Sequence, residues 1–322
     1  MLKFSQVTPP SLAIAVLSGG DSSEREISLA SGRAIQDALE ALGHCCTAID
    51  PATTDLNSVD WLDFDVAAIG LHGRFGEDGQ LQKLLEARCI PFTGSNSEAS
   101  ALAFSKSASK QQFINDSVPT PEFAVIRQTD SATHIAEHAR TIGYPIVIKP
   151  DAEGSSFGIT IVNSPDRLPA ALTKCFQFGS VALVERAVPG TEWTVAVVDG
   201  RALSPICIET RRSFYDFRAK YEDDTTQYLF ETEFDTAIVE QIQSVGLDAC
   251  RSLGTQGVAR VDLRLDSFNR PWVLEVNTIP GMTNHSLVPK AAERAGISFV
   301  ELCQRMIDSC LQRCTSEMRR SA

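Results

Sequence analysis

The sequence predicts an α/β fold assembled in layers, and three observations carry that prediction. Short apolar runs, among them Leu12–Leu17 and Val66–Leu71, are long enough for buried strands and too short for helices. Between such runs lie segments such as Ala132–Ile142 and Thr236–Leu253, whose apolar residues recur at helical spacing. Hydrophobic residues make up 43% and charged residues 22% of the 322 residues, the balance of an ordinary folded protein, and that length suits two or three domains.

The first unit covers residues 1–94. Its opening strand, Leu12–Leu17, runs into Ser18-Gly19-Gly20, a strand-to-helix turn. The helix that follows carries a capping box, with Ser23 as the cap and Glu26 three residues later. Val66–Leu71 is a second buried strand, Gln80–Arg88 a helix, and Ile90–Gly94 closes the unit.

A second unit, residues 95–188, begins with the polar helix Ser105–Asn115, then a strand at Phe123–Ile126 and a helix at Ala132–Ile142. The strand Tyr144–Lys149 feeds the loop Glu153-Gly154-Ser155-Ser156-Phe157-Gly158, and Ile159–Val162 with Val181–Glu185 complete a layer. The third unit, residues 189–322, starts with a β-hairpin of Trp193–Val198 and Ala202–Ile208 about an Asp199-Gly200 turn. Residues 209–233 are polar and long enough to form a functional loop. Helix Thr236–Leu253, strands Val258–Leu265 and Pro271–Asn277, and two closing helices finish the chain.

Lys plus Arg number 29 against 41 Asp plus Glu, a net charge of −12. That balance argues against a nucleic-acid partner, which needs a broad basic face. Phosphate binding at one site needs only a few lysines and backbone amides. The nine cysteines are odd in number and include no CxxC pair. They read as small reduced hydrophobes rather than a disulfide frame or a zinc site. Leu12–Leu17 is too short to cross a membrane and no longer apolar run follows. A cytoplasmic protein with no membrane partner is expected.

The strands Val258–Leu265 and Pro271–Asn277 carry the clearest chemistry. Arg260, Asp262 and Arg264 share one face of the first, and Val273, Glu275 and Asn277 share one face of the second. With Phe268-Asn269 as a two-residue hairpin loop, Asp262 falls opposite Glu275 and Arg260 opposite Asn277. Two carboxylates and an amide oxygen are hard ligands of the kind Mg²⁺ accepts, alongside nucleotide phosphates and water. Two like charges so close call for a cation. On these residues alone, a hairpin with a charged solvent face is the alternative.

Lys149 ends an apolar strand ahead of a loop with glycines at 154 and 158, where backbone amides can approach anionic oxygens. Neither a GxxxxGK[ST] nor a GxGxxG pattern is present. Taken alone, such a loop also fits a plain surface turn. Lys106 begins a polar helix, and Glu185 and Glu192 flank a Pro-Gly turn, where solvated surface charges are the default reading.

In order, however, the chain carries Gly19-Gly20-Asp21-Ser22-Ser23-Glu24-Arg25-Glu26-Ile27-Ser28, then Leu71-His72-Gly73-Arg74-Phe75-Gly76-Glu77-Asp78-Gly79, then Pro91-Phe92-Thr93-Gly94-Ser95. Lys149-Pro150 with Glu153-Gly154-Ser155-Ser156, Phe214-Tyr215-Asp216 and Ala219-Lys220-Tyr221 follow. Leu274-Glu275-Val276-Asn277-Thr278, Pro280-Gly281-Met282-Thr283 and His285-Ser286-Leu287-Val288-Pro289 complete the series. Together they resemble the D-alanine–D-alanine ligases of the ATP-grasp superfamily.

The resemblance implies a three-domain ATP-grasp fold with an N-terminal Rossmann-like domain, and ATP held between the second and third domains. Lys106 and Lys149 are then expected on the nucleotide phosphates, with Glu153, Ser155 and Ser156 as further ATP-binding residues. Glu185, Arg186, Val188 and Glu192 are expected on adenine and ribose. Asp262, Glu275 and Asn277 become ligands of two Mg²⁺ ions, with Mn²⁺ as an alternative.

For the two D-alanines, the resemblance assigns Glu24 to the first ammonium, with His72 orienting it. Arg260 and the Gly281 amide serve the tetrahedral intermediate. Ser286, Leu287 and Lys220 hold the second substrate, and Ser155, Tyr221 and Glu24 close the 209–233 loop as a lid that excludes water. A homodimer is implied as well.

Departures from the pattern are Ser105 in place of an aspartate, Phe157 in place of a smaller aliphatic, and no proline in Leu229–Glu233. The closest rival is a ligase that takes D-lactate or D-serine second. The others are a different carboxylate–amine ligase and a nucleotide-binding regulator that has lost its chemistry.

Overall fold

In the computed structural model, residues 11–210, 225–283 and 286–321 are described. The alternation of strands and helices expected from the sequence resolves into three sheets, one parallel and two antiparallel.

The first sheet has the order β2-β1-β3, with β1 at Ala13–Leu17, β2 at Cys45–Ile49 and β3 at Val66–Ile69. Helix α1, Arg25–Ala41, crosses from β1 to β2, and its buried positions 28, 31, 32, 35, 38 and 39 form one stripe. The expected capping box is not formed. Glu24, not Ser23, is the N-cap residue, and no side chain caps the helix. Ser22 sets the turn instead, its hydroxyl accepting from Glu24 N and donating to His72 O. That leaves the Glu24 carboxylate to point elsewhere. Gln80–Ala87 forms α2, and Trp61, Leu81 and Leu85 fill the far face of the sheet.

Two short helices follow, α3 at Ser97–Phe104 and α4 at Lys106–Asn115. Ser105 caps α4, accepting from Ala108 N. The second sheet then has the order β4-β7-β5-β6, built from β4 (Phe123–Arg127), β5 (Ile146–Pro150), β6 (Thr160–Val162) and β7 (Val181–Arg186). Strand alternation divides its side chains. Ile126, Ile146, Ile148, Val162 and Val184 pack against α5 (Ala132–Ile142) and α6 (Leu168–Cys175). Val147, Lys149, Ile161 and Glu185 face the opposite way.

The third sheet runs β11-β10-β8-β12-β13. Here β8 is Gly190–Val198, β9 Arg201–Ala202, β10 Ile206–Glu209, β11 Gln227–Leu229, β12 Val258–Asp266 and β13 Pro271–Asn277. The hairpin about Asp199-Gly200 is present, but its second strand is broken between Ala202 and Ile206, where Pro205 cannot donate to a ladder. Helix α7, Thr236–Leu253, covers the face carrying Ala259, Val261, Leu263 and Leu265. Helices α8 (Leu287–Arg294) and α9 (Phe299–Ser321) pack between this sheet and α1, joining the first and third sheets through one core. No described helix is long and apolar enough to cross a membrane.

Candidate active site

Two clefts converge on the β12–β13 hairpin. One, of about 840 Å³, lies between the second and third sheets and is lined by Val147, Ile161 and Leu274 together with Lys149, Glu185 and Glu192. The other, of about 590 Å³, is more polar and opens toward the first sheet, with Glu24, His72, Ser155, Arg260, Asn277 and Gly281 on its walls. Lys106 and Glu275 line both clefts.

The hairpin register is the expected one at the site and not at the turn. Arg260 pairs with Asn277 and Asp262 with Glu275, but the ladder shifts by one residue between Asp262 and Leu263, so that Leu263 pairs with Val273. The turn contains three residues rather than two, since Asp266 N donates to Arg270 O and Asn269 adopts φ +59°. A bulge at Leu274 absorbs the extra residue. It also reverses the faces beyond it: Val273 is buried in the core, and Leu274 joins Glu275 on the cleft side. The expectation that Val273 shares a face with Glu275 is therefore corrected.

On that face, Arg260 holds both oxygens of Asp262, at 2.9 and 2.8 Å, and Thr194 donates to the same carboxylate at 2.8 Å. Lys106 Nζ lies 3.0 Å from Glu275 Oε2 and 2.7 Å from Glu153 O. Burial alone would lower the Lys106 pKa, but the Glu275 charge outweighs it and raises the value above that of an ordinary lysine. Asn277 Oδ1 accepts from Ile279 N at 3.1 Å. Asp262 and Glu275 supply hard oxygen donors already balanced by cationic side chains, with the Asn277 amide oxygen beside them. This donor set fits Mg²⁺, which takes one or two carboxylates and leaves positions for phosphate and water.

Lys106 is aimed by its helix terminus. Asp151, just past β5, accepts from Ser105 Oγ at 2.9 Å and from Ser107 N at 2.7 Å. Ser105, where an aspartate was expected, thus caps α4 and ties it to the strand that carries Lys149. Lys149 Nζ sits 2.8 Å from Glu185 Oε1, and Lys110 Nζ is 2.6 Å from Glu185 Oε2. Burial would raise the Glu185 pKa, yet the two lysine charges hold it below the usual carboxylate range. Lys110 itself is pushed down to about 8 by burial, with Lys149 adding to the fall. Arg264 bridges Glu192 at 3.2 Å and Val188 O at 3.2 Å, which fixes the Pro189-Gly190 turn. Arg186 sits at the rim, half exposed and paired with Glu122.

The loop after β5 links the two clefts. Ser155 and Ser156 adopt φ +49° and +60°, which costs about 1–2 kcal/mol per residue. Ser155 donates to Glu24 Oε1. Gly154 passes so close that a Cβ there would lie 2.4 Å from Glu24 Oε2. Burial pushes the Glu153 carboxyl above its ordinary value, although only its backbone oxygen reaches Lys106.

His72 is buried and bonded on both sides, with Nδ1 2.9 Å from Ile279 O and Nε2 2.9 Å from Ser31 Oγ. Burial would lower its pKa, but the Glu77 bond and charge, helped by Glu24, raise it. Glu77 is itself pushed up to about 7 by burial and by Glu24. Gly281 lies against Ser286, where a Cβ would be 2.8 Å from Oγ, and Ser286 accepts from Thr283 N at 3.0 Å. The Leu287 side chain is buried in the core, so only the backbone of its helix's first turn is left for a substrate. Lys220 and Tyr221, with most of the 209–233 stretch, fall outside the described residues.

Sequence reasoning passed over Lys110, Asp151, Glu77 and Leu274. Lys110 follows Lys106 by one helical turn on a helix without an apolar stripe, and Asp151 lies two residues past Lys149 with no spacing pattern to mark it. Glu77 lies inside the His72–Gly79 motif, which was the available signal. Only the bulge reveals Leu274.

A family model described as D-ala D-ala ligase C-terminus matches residues 113–308. A D-alanine–D-alanine ligase of Gloeobacter violaceus is 43% identical over 303 residues, covering 93% of this chain and all of that protein. The chain belongs to the D-alanine–D-alanine ligase family. Among solved structures, the Bacillus anthracis D-alanine–D-alanine ligase complexed with ATP superposes with a TM-score of 0.84 at 29% identity, covering 95% of this chain and 100% of the other. The VanG D-Ala:D-Ser ligase of Enterococcus faecalis reaches 0.81 at 26% identity, over 93% and 99% of the two chains. Ligases named for different second substrates therefore share this fold, and within the family the acceptor must be argued from the site.

Proposed function

We propose that this chain joins two molecules of D-alanine at the expense of ATP, releasing ADP and phosphate and supplying D-alanyl-D-alanine for peptidoglycan synthesis. The observation that carries this reading is the meeting of a half-apolar cleft and a polar cleft at one lysine–carboxylate pair, Lys106 and Glu275. A planar base fits against Val147, Ile161 and Leu274. A small zwitterion fits among Glu24, His72 and Arg260. Their reactive ends come together at the hairpin.

That placement supports the following division of labour. Residues 1–94 supply the first D-alanine site, and 95–188 and 189–322 close on ATP from either side. Lys106 and Lys149 belong with the phosphates, Glu153, Ser155 and Ser156 are further ATP contacts, and Glu185, Arg186, Val188 and Glu192 go with base and ribose. Asp262, Glu275 and Asn277 would hold two Mg²⁺ ions, or Mn²⁺, which neutralise phosphate charge when bound.

Glu24 accepts the ammonium of the first D-alanine, and the carboxylate oxygen of that D-alanine attacks the γ-phosphorus of ATP to give D-alanyl phosphate and ADP. The free amine of the second D-alanine then attacks the carbonyl carbon. Arg260 and the Gly281 amide face the oxyanion that develops, a role worth about 10²–10³ in rate for one such donor. Phosphate leaves as the carbonyl re-forms. Ser286, Lys220 and the Leu287 amide orient the acceptor, and Tyr221 with Ser155 and Glu24 keeps water from the acyl phosphate. A cytoplasmic homodimer is the proposed setting.

Phosphate release with ATP and D-alanine, L-alanine, D-lactate or D-serine, with product identification, tests the reading. It requires D-alanine-dependent release and a D-alanyl-D-alanine product. Release independent of D-alanine rejects it, and a D-lactate or D-serine product in preference moves the chain to its rivals.

A further inference from the structure

The wall of the larger cleft is backed by a lysine that does not line it. Lys110 on α4 is fully buried, and its Nζ approaches Glu185 Oε2 while Lys149 takes Oε1 from the cleft side. Lys110 Nζ also donates to Thr120 Oγ1 at 2.5 Å and Pro121 O at 3.4 Å, and Thr120 donates on to Val273 O at 2.9 Å. The Phe123 ring lies 5.4 Å from Nζ. Helix α4 and strands β7 and β13 are thereby gathered around one ammonium group. A buried charge of this kind is costly unless it is paired, and the reaction described above gives Lys110 no task.

We infer, on the reading of this cleft as the nucleotide site, that Lys110 is a positioning residue for ATP: it holds Glu185 against the wall so that Lys149 keeps a net positive charge toward the triphosphate. The two lysines and one glutamate leave a single positive charge at the wall. Without Lys110, Glu185 and Lys149 become a closed neutral pair. The freed Oε2 then either stays unsatisfied in a buried place or turns onto Lys149 and draws its ammonium from the phosphates. Lys106 cannot replace that charge, because Glu275 already engages it. A merely structural lysine would pin α4 to β7, and its loss would lower stability without singling out the nucleotide.

The test is a double-mutant cycle on Lys110 and Glu185. The readout is the Kd for a non-hydrolysable ATP analogue with Mg²⁺, and D-alanine turnover is measured beside it. In folded Lys110→Met, Kd rises at least about tenfold, as for truncation of a buried charge pair, while kcat and the D-alanine KM at saturating ATP stay within about twofold. In a Glu185→Gln background the same change moves Kd less than about threefold, because the group through which Lys110 acts is gone. An unchanged Kd in Lys110→Met, or equal losses in both backgrounds, overturns the inference.

Should Lys110→Met fail to fold, Glu185→Gln is compared with the double variant, which has the wild type's net charge at this wall. A difference of about tenfold there overturns the inference as well, and one below about threefold supports it. Binding is read without turnover, so wild type that binds nucleotide but lacks D-alanine-dependent turnover counts against the reaction alone. Wild type that fails to bind the analogue overturns both.

Discussion

Ser155 donates a hydrogen bond to Glu24 across 131 positions of sequence, joining the loop after β5 to the first turn of α1. Both residues are buried at the wall of the polar cleft. The contact makes the loop after β5 and the turn that carries Glu24 one mechanical unit.

Gly154→Ala should break that unit, since the new Cβ would meet Glu24 Oε2 at 2.4 Å. D-alanine kcat/KM is expected to fall about 10–100-fold, with ATP-analogue binding changed far less. Ser155→Ala, which removes the hydrogen bond to Glu24 without adding bulk, should cost about tenfold. Steady-state kinetics on both variants checks the order.

Arg260 and Asp262 form a partly buried pair on the hairpin face. Arg260→Met leaves Asp262 without its two-pronged partner, so the protein should lose about 2–4 kcal/mol of stability without Mg²⁺. Added Mg²⁺ should restore part of that loss, while kcat stays about 10²–10³ lower. Thermal unfolding with and without Mg²⁺ reads the first effect and turnover the second. A melting temperature indifferent to Mg²⁺ in this variant contradicts the ligand assignment.

Asp262→Asn and Glu275→Gln should each raise the Mg²⁺ concentration for half-maximal turnover by about tenfold or more, within the range of losing one charged oxygen ligand. Chelation should abolish turnover in wild type, and added Mn²⁺ should recover it.

Asp50 offers a pH test of the support beneath Glu24. Arg25 holds its carboxyl down to about 2, with the Gly20 amide helping against burial. A depressed carboxylate contributes stability that is present above the unfolded value near 3.8 and lost as pH falls toward 2. The stability gap between wild type and Asp50→Asn should therefore be about 1–2 kcal/mol at pH 5, allowing for partial exposure, and shrink steadily toward pH 2. Denaturant unfolding across that window checks it; a gap independent of pH contradicts it.

Much of the fold was legible because strand and helix periods differ. β12 alternates Arg260, Asp262 and Arg264 against Ala259, Val261 and Leu263, and the structure keeps both faces as read. β13 was harder, since Val273 and Leu274 are both apolar and alternation cannot locate a bulge between them. The Asp262–Glu275 pairing came out right only because the bulge cancels a longer turn. β2 was missed as an edge strand of small residues, Cys45-Cys46-Thr47-Ala48. α3 was missed because Ser97–Ala101 offers no apolar stripe. The capping box is absent because Glu24, not Ser23, stands at the N-cap, with Ser22 accepting from Glu24 N and donating to His72 O. Lys110 left no trace at all: burial of a lysine depends on partners from β7 and the loop before β4, and no local pattern encodes those.

Transfer of oxygen from substrate carboxylate to phosphate tests the central claim most directly. With D-alanine labelled by ¹⁸O in its carboxylate, attack on the γ-phosphorus followed by amide formation places one label in the released phosphate for each dipeptide made. That outcome is predicted for this chain. Phosphate free of label, with its new oxygen drawn from solvent instead, would contradict it.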